Sequence, residues 1–151
     1  WRGIYRLARY PLSEEAQYVC WSLWSKNRQG ITQGVYSHQT ALSLFDLSDA
    51  MPAKIHMTVN QGFRRHSKIP EILVLHSGIV NESEIEERAG FFVTTPVKTI
   101  VDLVKEMVVS TDILMQAYNE SMKRGLINKM KFLHYRKNAA FNALFESLFG
   151  E

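Results

Sequence analysis

Val93-Thr94-Thr95-Pro96-Val97-Lys98-Thr99-Ile100-Val101-Asp102-Leu103 divides this 151-residue chain into a sheet-forming part and a helix-forming part. Phe91-Phe92-Val93, leading into it, reads as a short apolar strand. Pro96 has no N–H and cannot extend a ladder, yet it suits the first position of a helix. Thr95 stands where a capping hydroxyl belongs. Val97, Ile100, Val101 and Val104 then recur with a 3.6-residue period. A strand runs out, turns on Thr-Thr-Pro and feeds a helix whose apolar face needs a sheet to cover it.

Further strands are expected upstream, over residues 54–60 and 71–76. The first alternates Ile55, Met57 and Val59 with His56, Thr58 and Asn60, which implies one buried and one wet face. The second contains Ile72-Leu73-Val74-Leu75, apolar throughout, and is expected at the centre of the sheet. Gln61 to Lys68 between them reads as a hairpin loop or extended tip. Residues 77–83 read as loop, residues 84–88 as a strand, and Ala89-Gly90 as the turn into Phe91.

Nearer the start, Gly3-Ile4-Tyr5-Arg6-Leu7 is a short strand ended by Tyr10-Pro11. Ser13 is expected to cap a helix carrying Ala16, Val19, Cys20, Leu23 and Trp24 on one stripe. Ser37 caps a second through Ala41, Leu42, Leu44 and Phe45. Beyond the pivot, Ser110 or Thr111 opens a helix that Lys123-Arg124-Gly125 closes. A helical turn near Met130–Leu133 and a last helix with Phe141, Leu144, Phe145, Leu148 and Phe149 on one face follow. The fold class is therefore α+β: a small mixed β-sheet flanked by helices, with a helical C-terminal third.

Composition narrows the function classes. The chain is 46% hydrophobic and 22% charged, the balance of an ordinary globular domain. A net charge of +3 permits an acidic or nucleic-acid partner without demanding one. A single cysteine, Cys20, excludes an internal disulfide, and no apolar run reaches the roughly 18–20 residues of a membrane span. A cytoplasmic protein with no membrane partner is expected. The chain opens on Trp1 rather than Met, as a fragment of a longer protein would.

Catalytic patterns are sparse. The five histidines, His38, His56, His66, His76 and His134, show neither HxxxH nor HExxH spacing, so no metal ligands and no cofactor are expected. His56 and His76 could face one another across adjacent strands. Asp102 follows Lys98 by four residues and precedes Lys105 by three, which a solvated ion pair explains at about a few tenths of a kcal/mol. An acid–base role for Asp102 would need a second carboxylate or a metal. The run from Glu82 to Glu87 could supply a carboxylate, but four glutamates in six residues usually form a solvated face.

Positive charge is the stronger thread. Arg64, Arg65, His66 and Lys68 lie on the tip beside Phe63, where cations with an aromatic neighbour can grip phosphates and stack on a base. Lys123, Arg124, Lys129 and Lys131, with Arg136 and Lys137, make a second basic group. Both are candidate binding surfaces for nucleic acid or a partner.

Four of these stretches, in order, resemble the AbiEi family of antitoxins from toxin–antitoxin and phage-abortive-infection systems. Gly3 to Leu7 with Tyr10-Pro11 resembles the end of that family's winged helix-turn-helix. Ser37-His38-Gln39-Thr40-Ala41-Leu42-Ser43-Leu44-Phe45-Asp46-Leu47-Ser48 with Met51-Pro52 resembles its leucine-rich helix. Lys54 to Asn60 with Arg64-Arg65 resembles its strand and arginine loop. Thr95, Pro96, Lys98, Thr99 and Asp102 match its structural signature, with Lys98 where arginine is commoner. The resemblance covers roughly residues 3–128.

It implies residues 1–11 as the remnant strand of the winged helix-turn-helix and residues 12–151 as the antitoxin C-terminal domain. It also implies a non-enzymatic protein that counters a nucleotidyltransferase-like toxin. Operator DNA would be bound through an N-terminal module that this chain lacks, and the full-length protein would repress its own operon. Two alternatives stand beside it: a nucleic-acid-binding module acting through Arg64, Arg65 and Lys68, and a nuclease-like enzyme centred on Asp102.

Overall fold

The computed structural model describes Ile4, Tyr5, Ser13 and residues 15–150. The expected opening strand falls outside these residues except for Ile4 and Tyr5, which belong to no helix or strand. Ile4 packs against the core, and Tyr5 is exposed.

Helix α1 (Ala16–Trp24) leads through a loop to β1 (Val35–Tyr36) and directly into α2 (His38–Phe45). Strands β2 (Ile55–Val59), β3 (Leu73–Ser77), β4 (Ile85–Arg88) and β5 (Phe91–Thr94) follow. The C-terminal part is helical: α3 (Pro96–Glu106), α4 (Thr111–Lys123), α5 (Leu133–Arg136) and α6 (Ala139–Phe149). The architecture is the expected α+β fold on a mixed sheet ordered β3-β2-β1-β5-β4.

The pivot behaves as its residues dictate. Thr95 Oγ1 accepts from the Lys98 N–H at 3.3 Å, and Pro96 occupies the first turn of α3. The Thr99 hydroxyl lies 2.8 Å from the Thr94 hydroxyl and donates to the Thr95 carbonyl at 2.9 Å, tying the end of β5 to the first turn of α3. Ile100, Val101, Leu103 and Val104 are fully buried.

Two sheet expectations need correction, and one strand went unread. Strand β1 was not evident in the sequence, because Val35–Tyr36 is too short for any period to show. It is nevertheless the strand that joins the halves, antiparallel to β2 and parallel to β5. Strands β2 and β3 are parallel, with Ile55 opposite Leu73 and Thr58 opposite His76, so residues 60–72 form a crossover and not a hairpin. The apolar β3 lies at the sheet edge and not its centre, with only Leu73 of its residues fully buried.

Side-chain alternation gives the sheet two distinct faces. Tyr36, Met57 and Val93 share one face, because they stand opposite one another in register. Tyr18 of α1 covers it, edge-on to Tyr36 at 5.2 Å, and the Tyr36 hydroxyl donates to the Tyr18 carbonyl. The other face carries Ser37, His56, Thr58 and His76. It was expected to be wet, yet α2 and α3 cover it: Thr58 is buried and His56 half-buried.

Helix boundaries shift for local reasons. Ser13 does not cap α1, which starts at Ala16 with Glu15 in the capping position and no side-chain cap. Ser110 caps α4 as expected, accepting from the Ile113 N–H at 3.4 Å. On α6 only Phe141 and Phe145 are fully buried, while Leu144 faces solvent.

Gly34, entering β1, has no room for a side chain. A Cβ there would sit 2.6 Å from Met57 Sδ and 3.2 Å from the Ser25 Cβ and Oγ, while the Gly34 N–H donates to Ser25 Oγ. Gly34→Ala should lower stability by about 1–3 kcal/mol in urea denaturation, because a filled core must shift to admit the methyl group. Gly62→Ala, whose nearest neighbour would be 3.5 Å away, provides the comparison and should be close to neutral.

Candidate functional site

Three of the chain's five histidines meet where α2 and α3 cross the sheet. His56 on β2 and His76 on β3 project from one face, and His56 Nδ1 lies 2.9 Å from His76 Nε2. The expected pairing of these two across adjacent strands is present, in diagonal register. His38 stacks on His76 with ring centroids 3.7 Å apart and planes inclined by 13°. Glu106, the last residue of α3, reaches both: Oε1 is 3.0 Å from His38 Nε2 and Oε2 is 3.2 Å from His76 Nδ1.

The backbone goes out of its way to build this. Strand β1 ends at Tyr36, and α2 begins two residues later, so Ser37 and His38 must turn the chain almost at once. His38 takes a φ of 53°, a left-handed conformation that a side chain at Cβ disfavours. Ser37 stands in the capping position but makes no side-chain cap bond. Its Oγ accepts instead from Thr58 Oγ1 at 2.8 Å and lies 2.8 Å from His38 Nδ1. The hydroxyl expected to serve the helix serves the histidine.

Burial favours the neutral forms of His56 and His76. His56 is pushed down to about 4, first by burial and then by the fields of His76, His38 and Lys54, with Glu106 opposing. His76 is also lowered, by burial first, against the pull of Glu106. His38, His76 and Glu106 each offer one ligand atom, all within 4.8 Å of one another, the one such group among the described residues.

The sequence brought His56 and His76 together but not His38 and Glu106, which share no spacing along one element with them. The signal was available in another form: a histidine at a strand-to-helix junction, two on neighbouring strands, and Glu106 on the helical stripe of Lys98 and Asp102.

Asp102 is not the solvated residue expected. Lys98 Nζ and Asp102 Oδ1 are 2.6 Å apart, with side chains only 11% and 10% exposed. Burial raises the Asp102 carboxyl above the usual range, and the hydrogen bond from Lys98 works against that rise. Lys105 instead lies over the Tyr135 and Phe141 rings. The acidic run is likewise only partly a solvated face. Glu84 is buried, accepts from the Asn81 N–H at 2.9 Å and receives the Tyr135 hydroxyl at 2.5 Å.

The basic tip folds back on α1. The Arg65 guanidinium lies 4.8 Å from the Trp24 ring centroid and 5.8 Å from that of Phe63, and it donates to the Lys26 carbonyl at 3.1 Å. Arg64, Arg65 and His66 thereby join Lys26 and Arg28 along one groove, and among the described residues no carboxylate lines it. Lys68 stands outside that lining and pairs with Glu71 at 3.4 Å.

The second basic group does not converge. Arg124 donates to the Phe45 and Asp46 carbonyls, and Lys123 lines a hollow with Asp46 and Asp49. Lys131 donates to the Leu126 carbonyl and lines a different hollow beside Glu84. Lys129 opens the 3₁₀ turn Lys129–Phe132. No protein-family model matches the chain, and no curated protein matches it.

Lys98→Met should destabilise the protein by about 3–5 kcal/mol at neutral pH, since it strands a buried carboxylate. The loss should shrink as pH falls through the raised Asp102 pKa, where the lone carboxyl becomes neutral, and thermal melts at pH 7 and pH 4 measure it. His56 sets a second dependence. The unfolded chain takes its proton near pH 6.5 and the folded chain only near pH 4, so stability falls as pH drops through that window. In chelator-containing buffer, His56→Gln should flatten this loss, and urea midpoints taken between pH 7 and pH 4 read it directly.

Proposed function

We propose that this chain is the C-terminal part of a non-enzymatic, cytoplasmic antitoxin and regulator of the AbiEi type. In this reading it counters a nucleotidyltransferase-like toxin, and a helix-turn-helix module N-terminal to it reads operator DNA. The observation that supports this most is the Arg64–Arg65 groove. It gathers five basic side chains with no carboxylate among the described residues lining it, and it includes the loop stretch that resembles the family's. The signature residues fit an architectural part in that reading: Thr95 caps, Pro96 starts α3, Thr99 ties β5 to α3, and Lys98 neutralises Asp102.

Growth on co-expression with the neighbouring gene of its operon tests this reading. The toxin alone should arrest growth, and this protein should restore it. A neighbour that is harmless, or an arrest that persists, removes the proposal.

The same groove favours a second reading, direct binding of nucleic acid. Arg65 is already held over two aromatic rings beside four other basic side chains, a surface on which phosphates can be gripped and a base stacked. Arg64→Ala with Arg65→Ala should then weaken binding and flatten the plot of log affinity against log salt by about 1–2 units. Fluorescence anisotropy with a labelled oligonucleotide across a salt series measures this, and an unchanged slope counts against the groove.

A further inference from the structure

The contact between His38 and Glu106 is incomplete as drawn by the protein alone. His38 is 1% exposed, and its Nε2 lies 3.0 Å from a carboxylate oxygen yet has no hydrogen-bond partner among the described residues. Each tautomer fails in its own way. With the proton on Nδ1, shared with Ser37 Oγ, the Nε2 lone pair faces an anionic oxygen across 3.0 Å with no cation between them. With the proton on Nε2, the N–H does not aim at that oxygen, and a fully buried donor is left unsatisfied. A cation held to one side of the N···O line resolves both.

We propose that His38 Nε2, His76 Nδ1 and the Glu106 carboxylate bind a first-row divalent transition metal of the zinc class. The donor set fits, because imidazole and carboxylate suit this group and three protein ligands leave a position for water or an incoming ligand. The spacing is within reach. Each imidazole nitrogen has its own carboxylate oxygen, at 3.0 and 3.2 Å, and one ligand atom from each residue lies within 4.8 Å of the others. On an ion with bonds of about 2.0–2.1 Å the three would draw in to about 3.3 Å apart.

Supporting bonds stand behind the ligands. A metal-bound imidazole characteristically engages its other nitrogen. His38 Nδ1 meets Ser37 Oγ, which Thr58 fixes in turn, and His76 Nε2 meets His56 Nδ1. Glu106 is 41% exposed and gives an ion a route from solvent. The left-handed φ of His38 and the diversion of Ser37 from capping both follow if ring position outranks helix geometry at this junction. The site rests on none of the antitoxin reading, so each can fail without the other.

Zinc chloride titrated calorimetrically into chelator-treated protein should show one saturable site per chain. His56→Gln should weaken it by about 10–100-fold, and His76→Asn or Glu106→Gln by more. His66→Ala with His134→Ala should leave it unchanged, which separates this site from exposed histidines. Cobalt substitution should give visible bands of a four- or five-coordinate ion that Glu106→Gln removes, and far-UV circular dichroism checks folding of every variant. Should the imidazole variants fail to fold, the isosteric change at half-exposed Glu106 still decides the matter. Absence of saturable uptake by the wild type, uptake that survives Glu106→Gln, or uptake lost with His66 and His134 would each overturn the proposal.

Discussion

Two residues hold the sheet together. Val35–Tyr36 pairs with β2 on one side and β5 on the other, so the continuity of the whole sheet passes through a strand of minimum length. Such a strand contributes few ladder bonds, and side-chain packing must supply the rest. Tyr36 does this: it is fully buried, edge-on to both Tyr18 and Phe91, and its hydroxyl anchors α1. Burial raises its phenol pKa further, which keeps the hydroxyl a donor. The shortness of β1 has a second consequence. Because α2 must begin at His38, the turn has no spare residue, and the left-handed strain falls on a histidine instead of a glycine.

Charge on α3 is distributed with the same economy. Lys98, Asp102 and Glu106 fall at i, i+4 and i+8 on one stripe, and each is treated differently by burial. Lys98 and Asp102 neutralise each other in a nearly dry setting. Glu106, one turn beyond that pair at the end of the helix, is directed to the histidines. The helix that the sequence offered as a structural pivot thus carries architecture in its first two turns and chemistry only in its last. An enzyme centred on Asp102 gains no support from this arrangement, since Lys98 occupies its oxygen at 2.6 Å.

What could be read from sequence alone follows the range of the forces involved. Thr95-Pro96, Ser110 and the period of α3 are local, and each helix start they imply is present. Burial of Glu84 and Asp102 was illegible, because their partners Tyr135 and the covering core arrive from elsewhere in the chain. The edge position of β3 was misread for a similar reason. An all-apolar strand suggests cover on both faces, but Val74 and Leu75 are only half-buried. His38 and Glu106 lay 68 residues apart with no shared motif, and only the crossing of α2 and α3 makes them neighbours.

The misread connection and the basic groove are one fact. A hairpin tip would have stood away from the body, its arginines solvated and mobile. Parallel pairing of β2 with β3 forces residues 60–72 to travel the length of the strands instead, and that crossover contains no helix. An irregular crossover needs its own anchors. Phe63 supplies one by packing on Trp24 at 5.8 Å, and Arg65 supplies the other through the same indole and the Lys26 carbonyl. Those anchors bring Arg64 and His66 beside Lys26 and Arg28. The order of strands in the sheet, more than the local run of arginines, is what turns scattered basic residues into a surface that an anionic partner could recognise.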